Sequence, residues 1–207
     1  MLFPFLLLFV IATGFGIWQA RVDRRKSTQH LGELANRLGL GLEPATSARL
    51  PSRVQGTMRG KAIEIYTYTT SSGESEVTWA AVSACPAVSG GLTFTLKRRS
   101  PGARLAELFG WHRIRSGHPA FDLNWSATSN QPEFFGAALL PELCTKLEAA
   151  RIAGARGTFA LKAGVVRYTE TGNFADAKRT ARFDALTDIV CDLADIAEVA
   201  AARANAP

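Results

Sequence analysis

The first twenty residues form one apolar stretch in which no side chain is charged. As a helix, residues 1 to 20 would be about 30 Å long, which matches the hydrocarbon core of a bilayer. Pro4 falls in the first turn, where a missing backbone N–H is tolerated, and Trp18 falls at the far end, where an indole suits the membrane interface. The pattern therefore predicts a transmembrane helix over residues 1 to 20.

A second helical pattern follows almost directly. In residues 28 to 39, Leu31, Leu34 and Ala35 keep the spacing of one helical face, and Gly39 can end the helix. Residues 41 to 52 contain two prolines and are typical of a linker. We therefore expect residues 21 to 52 to hold a basic flank, a membrane-proximal helix and a linker.

Alternating apolar and polar positions then predict short strands. Four of them, at Arg53–Met58, Lys61–Thr69, residues 77 to 81 and residues 92 to 96, are joined by turns and predict an antiparallel meander. Phe121, Leu123 and Trp125 alternate in the same way and predict a fifth strand.

The remaining patterns are helical apart from one hairpin. Residues 132 to 151 predict a helix that breaks or restarts at Pro141, and residues 157 to 170 predict a hairpin. Residues 180 to 203 carry a long apolar stripe and predict a terminal helix. The fold class is therefore α+β: an N-terminal transmembrane helix, then a mainly antiparallel sheet with helices packed on one face, with the soluble domain over residues 53 to 203.

Charge sets the expected orientation of the chain. The formal net charge is +6, and half of it comes from the cluster that follows the apolar stretch, Arg21, Arg24, Arg25 and Lys26 with one acid, Asp23. Basic residues beside a membrane helix favour the cytoplasmic side. We predict a single-pass protein of the inner membrane, with its N-terminus outside and its domain cytoplasmic. A cleaved signal peptide is the alternative, but the segment lacks a basic start and an A-x-A-like end.

The three cysteines, Cys85, Cys144 and Cys191, form no CxxC pair, so neither a zinc knuckle nor a redox dithiol is indicated. Cys144 and Cys191 lie in apolar helical patterns and are expected to be buried, unreactive thiols. Unpaired thiols also suit a reducing compartment.

Motifs for catalysis or cofactor binding are weak. The stretch Gly56–Ala62 has three residues between its glycines and no hydroxyl after Lys61, so it is a turn and not a phosphate-binding loop. His112, His118 and Asp122 are spaced H-x5-H-x3-D and could approach a metal or act as an acid–base pair, although no nucleophile lies near them. We interpret them as polar loop residues without such a role. We predict no catalytic residue, metal or cofactor.

A second group of basic residues could meet anionic headgroups if its members share a face. These residues are Lys97, Arg98, Arg99, Arg104, Arg113 and Arg115. Aromatic residues for base stacking are not interleaved with them, so nucleic acid is not expected as a partner. The predicted lipid-contacting set is Arg21, Arg24, Arg25, Lys26, Lys97, Arg98 and Arg99.

Three short blocks, FTLKRR at 94 to 99, SGHPAFDLNW at 116 to 125 and RF at 182 to 183, resemble a loose group of uncharacterised bacterial proteins. Those proteins have one N-terminal membrane helix and a small α+β domain, and the likeness spans about residues 54 to 195. Their motif Thr/Ser-Gly-x-x-x-Phe-Asp is matched by Ser116, Gly117, Phe121 and Asp122. The resemblance implies a structural role: a turn at Gly117, an anchor for the start of a strand at Phe121 and loop hydrogen bonds to Asp122.

The leading functional hypothesis is a membrane-anchored, non-enzymatic binding domain on the cytoplasmic side. Its expected partners are the lipid bilayer and an unidentified membrane protein. Two alternatives stay open. One is an enzyme of unrecognised type with a site near His112, His118 and Asp122, and the other is an exported binding domain.

Overall fold

The computed structural model describes residues 3–47, 51–73, 75–99 and 114–204, with side chains described from residue 18 onward except Ser72. The helices are α1 (Phe3–Leu38), α2 (Pro119–Asn124), α3 (Pro132–Ala138), α4 (Pro141–Ile152) and α5 (Ala177–Ala204). The strands are β1 (Gly41–Glu43), β2 (Arg53–Met58), β3 (Lys61–Ser72), β4 (Ser75–Cys85), β5 (Phe94–Arg98), β6 (Trp125–Ser129), β7 (Thr158–Lys162) and β8 (Val165–Thr171).

The described strands form a single antiparallel sheet in the order β1-β2-β3-β4-β8-β7-β5-β6. A central row of paired residues crosses it from β2 to β6, and all of them are buried: Val54, Ile65, Val82, Tyr168, Phe159, Leu96 and Ala127. Because side chains alternate along a strand, this row marks the face that packs against the helices. The predicted α+β class with a large antiparallel sheet is confirmed.

Helices α1 and α5 lie on this covered face and close the core. Aromatic rings form a column through it: the Trp125 and Phe159 centroids are 6.0 Å apart, Phe159 and Tyr168 are 4.6 Å apart, and Tyr168 and Phe183 are 5.9 Å apart. Large rings that bury fully dominate the energetics of a core this size. In the described residues no helix packs on the opposite face, which we call the open face.

The predicted four-strand meander is wrong at its last strand. β2, β3 and β4 are consecutive neighbours, but β5 lies beyond the β7–β8 hairpin and pairs with β6 and β7. The connection between Cys85 and Phe94 is long enough to cross the sheet end, so adjacency in sequence does not enforce pairing there. The predicted β7–β8 hairpin itself is confirmed.

The predicted fifth strand at Phe121, Leu123 and Trp125 is also wrong, because residues 119–124 form α2 and the strand begins at Trp125. Phe121 and Trp125 are buried at 1% exposure, whereas Leu123 is 58% exposed. Two buried residues four apart with an exposed one between them is helical spacing. Pro119 stands in the first turn of α2, and the side chain of His118 accepts a hydrogen bond from the amide of Phe121.

The expected membrane-proximal helix is the last part of α1, which continues unbroken from Phe3 to Leu38. Leu31, Leu34 and Ala35 are buried in the main core, so the folded domain begins there and not at residue 53. The expected linker also contains a strand, β1, paired with β2.

Among the described residues, no helix combines the length and the apolar character that crossing a membrane requires. The side chains of residues 3–17 lie outside the described set. The transmembrane helix over residues 1 to 20 therefore stays a prediction.

Candidate membrane-facing surface

Helix α1 is fixed to the domain by its last third. Its Thr28 hydroxyl lies 2.8 Å from the hydroxyl of Ser52, just before β2, and His30 Nδ1 lies 2.8 Å from the carbonyl oxygen of Phe174. A cleft of about 280 Å³ separates the residues of α1 before Thr28 from Thr67 and Thr78 of the β3–β4 hairpin. The helix therefore leaves the domain alongside that hairpin.

The sheet consequently has a near end, towards the start of α1, and a far end. Strand β3 continues seven residues past the central row, from Ile65 to Ser72, which is about 23 Å. Strand β5 continues only two residues past Leu96, to Arg98, which is about 7 Å. The near end is therefore stepped, with the β3–β4 hairpin as its highest point.

All seven predicted lipid-contacting residues lie at the near end, in two separate groups. Arg21, Arg24, Arg25 and Lys26 are exposed on α1 beside the hairpin, and Lys97 and Arg98 are exposed where β5 ends, with Arg99 half-buried after them. The step between the two strand ends is about 16 Å, which is twice the Debye length of about 8 Å. A flat anionic surface that rests on the tip of the β3–β4 hairpin would therefore act only weakly on the cations of β5.

Two further exposed cations share the near end and were missed from the sequence. Arg156 precedes β7, and Lys178 follows the start of α5. These cations could be located only once the strand directions were known. Strands β5 and β7 are antiparallel, so the end of β5 at Lys97 lies beside the start of β7 at Thr158. Of the wider basic group, Arg104 and Arg113 lie outside the described residues, and Arg115 is exposed.

One buried ion-pair network ties α5 to the sheet at the near end. Glu170 of β8, 4% exposed, lies 2.9 Å from Arg182 and 3.2 Å from Arg179. The Tyr168 hydroxyl donates to the same carboxylate over 2.7 Å, and burial raises the pKa of that phenol. These two arginines are therefore structural and are not available to a ligand.

A second, more exposed network lies at the far end and contains more acids than bases. It joins Arg59, Lys61 and Lys146 to four carboxylates of α5, which are Asp188, Asp192, Asp195 and Glu198. Hydrogen bonds from Lys146 to Asp188 and Asp192 raise its pKa. With four carboxylates and three cations, this network carries one net negative charge.

In the alternative enzyme hypothesis the site includes His118 and Asp122, and both of these side chains form hydrogen bonds with the backbone. One oxygen of Asp122 accepts from the Ser116 amide over 3.0 Å, and the other accepts from Gly117 over 3.2 Å. Gly117 has a φ of +78° and Asp122 holds loop amides, as implied for this motif, whereas Phe121 is buried within α2 and does not start a strand. His112 lies outside the described residues.

Neither a metal centre nor a reactive thiol is indicated in the described part of the chain. No group of three metal-ligating side chains occurs among those residues. Cys144 and Cys191 are buried as predicted, and burial raises the pKa of both thiols, which keeps them protonated. Cys85 is exposed.

An apolar groove of about 430 Å³ lies between α3, α4 and α5, beside the far-end network. Phe134, Leu143 and Ile196 line it, with Leu140 and Val199 more than half exposed at its margin. Sequence patterns did not reveal it, because Phe134, Leu143 and Ile196 also fit the apolar stripes of their own helices.

Comparison with known proteins identifies a shared fold. The chain matches no protein-family model and no curated protein sequence. It is similar to the crystal structure of the mycobacterial trehalose monomycolate transport factor A, TtfA, with a TM-score of 0.51 and 14% sequence identity. The match covers 86% of this chain and 95% of that one. At this identity the likeness extends to the fold alone.

Proposed function

We propose that this chain is a membrane-anchored, non-enzymatic binding protein, with its α+β domain held at the cytoplasmic face of the inner membrane. The observation that carries the proposal is that α1 continues unbroken from Phe3 into the domain core at Leu31, Leu34 and Ala35. An uncharged segment of bilayer length is thereby joined to the domain without a flexible linker.

The charges at the near end support the same orientation. Arg21, Arg24, Arg25 and Lys26 follow the apolar segment directly and are exposed where α1 leaves the domain. Each cation close to an anionic leaflet contributes about 1 kcal/mol. The α1 cations are expected to supply most of this attraction because they adjoin the apolar segment, and Lys97, Arg98 and Arg99 a smaller part because they do not.

The engagement of Asp122 and His118 in backbone hydrogen bonds supports a binding role over a catalytic one. A carboxylate that holds two loop amides is poorly placed to transfer protons to a substrate. The open face and the apolar groove both remain accessible for binding.

The test is extraction and topology of the full-length chain. The protein should stay in the membrane pellet at alkaline pH, and alkaline phosphatase fused after residue 207 should be inactive. Replacing Arg21, Arg24, Arg25 and Lys26 by Gln should give partial phosphatase activity, whereas the matched change of Lys97, Arg98 and Arg99 should not. Full phosphatase activity of the unchanged chain, or its release into the soluble fraction, would refute the proposal.

A second candidate function, binding of an apolar molecule, is favoured by the groove. TtfA, which shares the fold, is by name a transport factor for trehalose monomycolate. A fluorescent fatty acid should bind this chain. The variant Val199→Asp, at the groove margin, should weaken this binding, whereas Leu123→Asp, at a similarly exposed position elsewhere, should not. Equal effects of the two variants would exclude the groove.

A further inference from the structure

The open face carries an ordered aromatic group on β3 and β4. Tyr68 pairs directly with Trp79 across the strands, with ring centroids 6.5 Å apart and planes 17° apart, and Tyr66 lies 6.0 Å from Tyr68. Trp79 donates its indole N–H to Thr70 over 2.9 Å. Since these rings are only partly buried and fixed by one another, they form a preorganised surface.

Beside the aromatic group lies a shallow cavity of about 440 Å³ with a floor of small side chains. Ala160 and three threonines, Thr95, Thr158 and Thr169, come from β5, β7 and β8, and Tyr68 forms one wall. Its volume is within the range of ligand pockets. From its Tyr68 wall on β3 to Thr95 on β5 the cavity spans four strand spacings, or about 19 Å, which is the length of about six extended residues.

The exposed charges around this floor are all positive. Lys162 and Arg167 line the cavity, and Lys97 stands next to Thr158 on the neighbouring strand. No described residue that lines the cavity carries a carboxylate. Two described acids of this face lie farther away: Glu64 is two strands from Arg167, beyond Ser83, and Glu43 stands on β1 at the edge of the sheet.

We propose that the open face docks an acidic, extended segment of a partner protein. Tyr, Trp and Arg are the residues that most often carry binding energy at protein interfaces, and an all-positive rim selects a negative partner. The proposal deepens the binding role proposed above. If α1 enters the bilayer, the open face points sideways from the membrane, towards neighbouring proteins and not towards headgroups.

The contacts favour a peptide over a single-stranded nucleic acid. Surfaces that bind single strands offer successive free rings for base stacking. Here Tyr68 lines the cavity, while Tyr66 lies under the guanidinium of Arg167, 5.9 Å from its ring centroid, and Trp79 is bonded to Thr70. The threonine hydroxyls of the floor can donate to carboxylates and to peptide carbonyls alike.

The experiment titrates the full-length chain, held in nanodiscs of zwitterionic phosphatidylcholine, with a peptide of about 12 alternating Glu and Ser residues. A peptide with Lys in place of Glu and a single-stranded oligothymidylate serve as comparisons. With the Glu peptide alone, NMR signals of residues on β3, β5, β7 and β8 should shift. Raising salt from about 0.05 to about 0.5 M should weaken the binding.

Two sets of variants with the same charge locate the site. Changing Lys97, Lys162 and Arg167 to Gln should weaken the Glu peptide about 20-fold, because each exposed ion pair contributes a factor of about two to five. Changing Arg37, Lys178 and Arg203 to Gln removes equal charge from exposed positions outside the open face and should leave binding unchanged. Tyr68→Ala should weaken binding about tenfold or more.

Several outcomes would overturn the proposal: absence of Glu-peptide binding, equal binding of the Lys peptide, or equal effects of the two triple variants. Tighter binding of the oligothymidylate would reassign the face to nucleic acid. Failure of the membrane anchor would leave this titration unaffected, since soluble chain can be titrated in the same way.

Discussion

The two ends of α5 are fastened to the sheet by ion-pair networks of different kinds. At the near end a single buried carboxylate, Glu170, is held between Arg179 and Arg182. At the far end four carboxylates of α5 share three cations, and most of these side chains are substantially exposed. The same helix is thus held by a few desolvated contacts at one end and by many hydrated ones at the other.

The different burial of the two networks shows which ion pairs fix the position of α5 and which affect it only slightly. A charge that loses its partner inside a protein cannot recover its hydration, so breaking a buried pair is costly. Exposed pairs exchange protein contacts for water at little net cost and are screened by salt. We therefore expect the near-end network to fix the position of α5, and the far-end network to contribute mainly to surface charge.

The largest effect is expected from Glu170→Gln. This change leaves Arg179 and Arg182 without their shared partner while both are less than a quarter exposed, so unfolding free energy should fall by about 3–5 kcal/mol. Denaturant unfolding of the full-length chain measures it. A loss similar to that of an exposed acid, such as Asp184→Asn, would show that water already reaches the near-end network.

Lys61→Met tests the most buried cation of the far end. The Lys61 side chain is 4% exposed, while its partners Asp195 and Glu198 are 41% and 33% exposed and can hydrate after the change. A loss of about 1–3 kcal/mol is therefore expected in the same unfolding measurement. A loss of unfolding free energy as large as that of Glu170→Gln would mean that the two networks contribute equally to stability.

Arg59→Gln should have a smaller effect, below about 1 kcal/mol, because the Arg59 side chain is 41% exposed. The difference between this variant and the unchanged chain should shrink further as salt is raised. Unfolding midpoints at low and high salt measure it. A salt-independent difference would mean that packing of Arg59, and not its charge, stabilises the helix.

The smallest effect concerns pH. The hydrogen bond from the Ala87 amide, followed by Lys61, lowers the pKa of Glu198 below its ordinary value of 4.5. The contribution of ionised Glu198 to folding stability is fully present above the ordinary pKa and is lost as pH falls through the lowered pKa. Between about pH 5 and about pH 3, the unchanged chain should therefore lose slightly more stability than Glu198→Gln. Parallel pH profiles of the two proteins would contradict the assignment.

Strand positions could be predicted from alternation, but strand order could not. The pattern located β2, β3 and the β7–β8 hairpin, because turns at Gly60 and Gly164, both with positive φ, join neighbours that pair locally. The place of β5 depends on pairing with β6 and β7, which are distant in sequence. Local periodicity does not contain that information.

The candidate surfaces show the same division. The cations of α1 were predicted because they are contiguous in sequence, and the structure adds only that Lys97–Arg99 stand on a lower step of the same end. The open face was missed because Tyr68, Trp79, Thr158 and Arg167 come from four strands. Each appears in sequence as an ordinary outward residue, and only the register brings them together.

Helix α1 connects residues 1 to 20 to the hydrophobic core without a flexible linker. If residues 1 to 20 lie in a bilayer, a change in bilayer thickness that tilts this segment must rotate the whole domain through the same angle. The stepped near end would then meet the headgroups first at the hairpin and, at greater lean, at Lys97 and Arg98. Because α1 is rigid, bilayer thickness would then determine which surface of the domain faces the membrane.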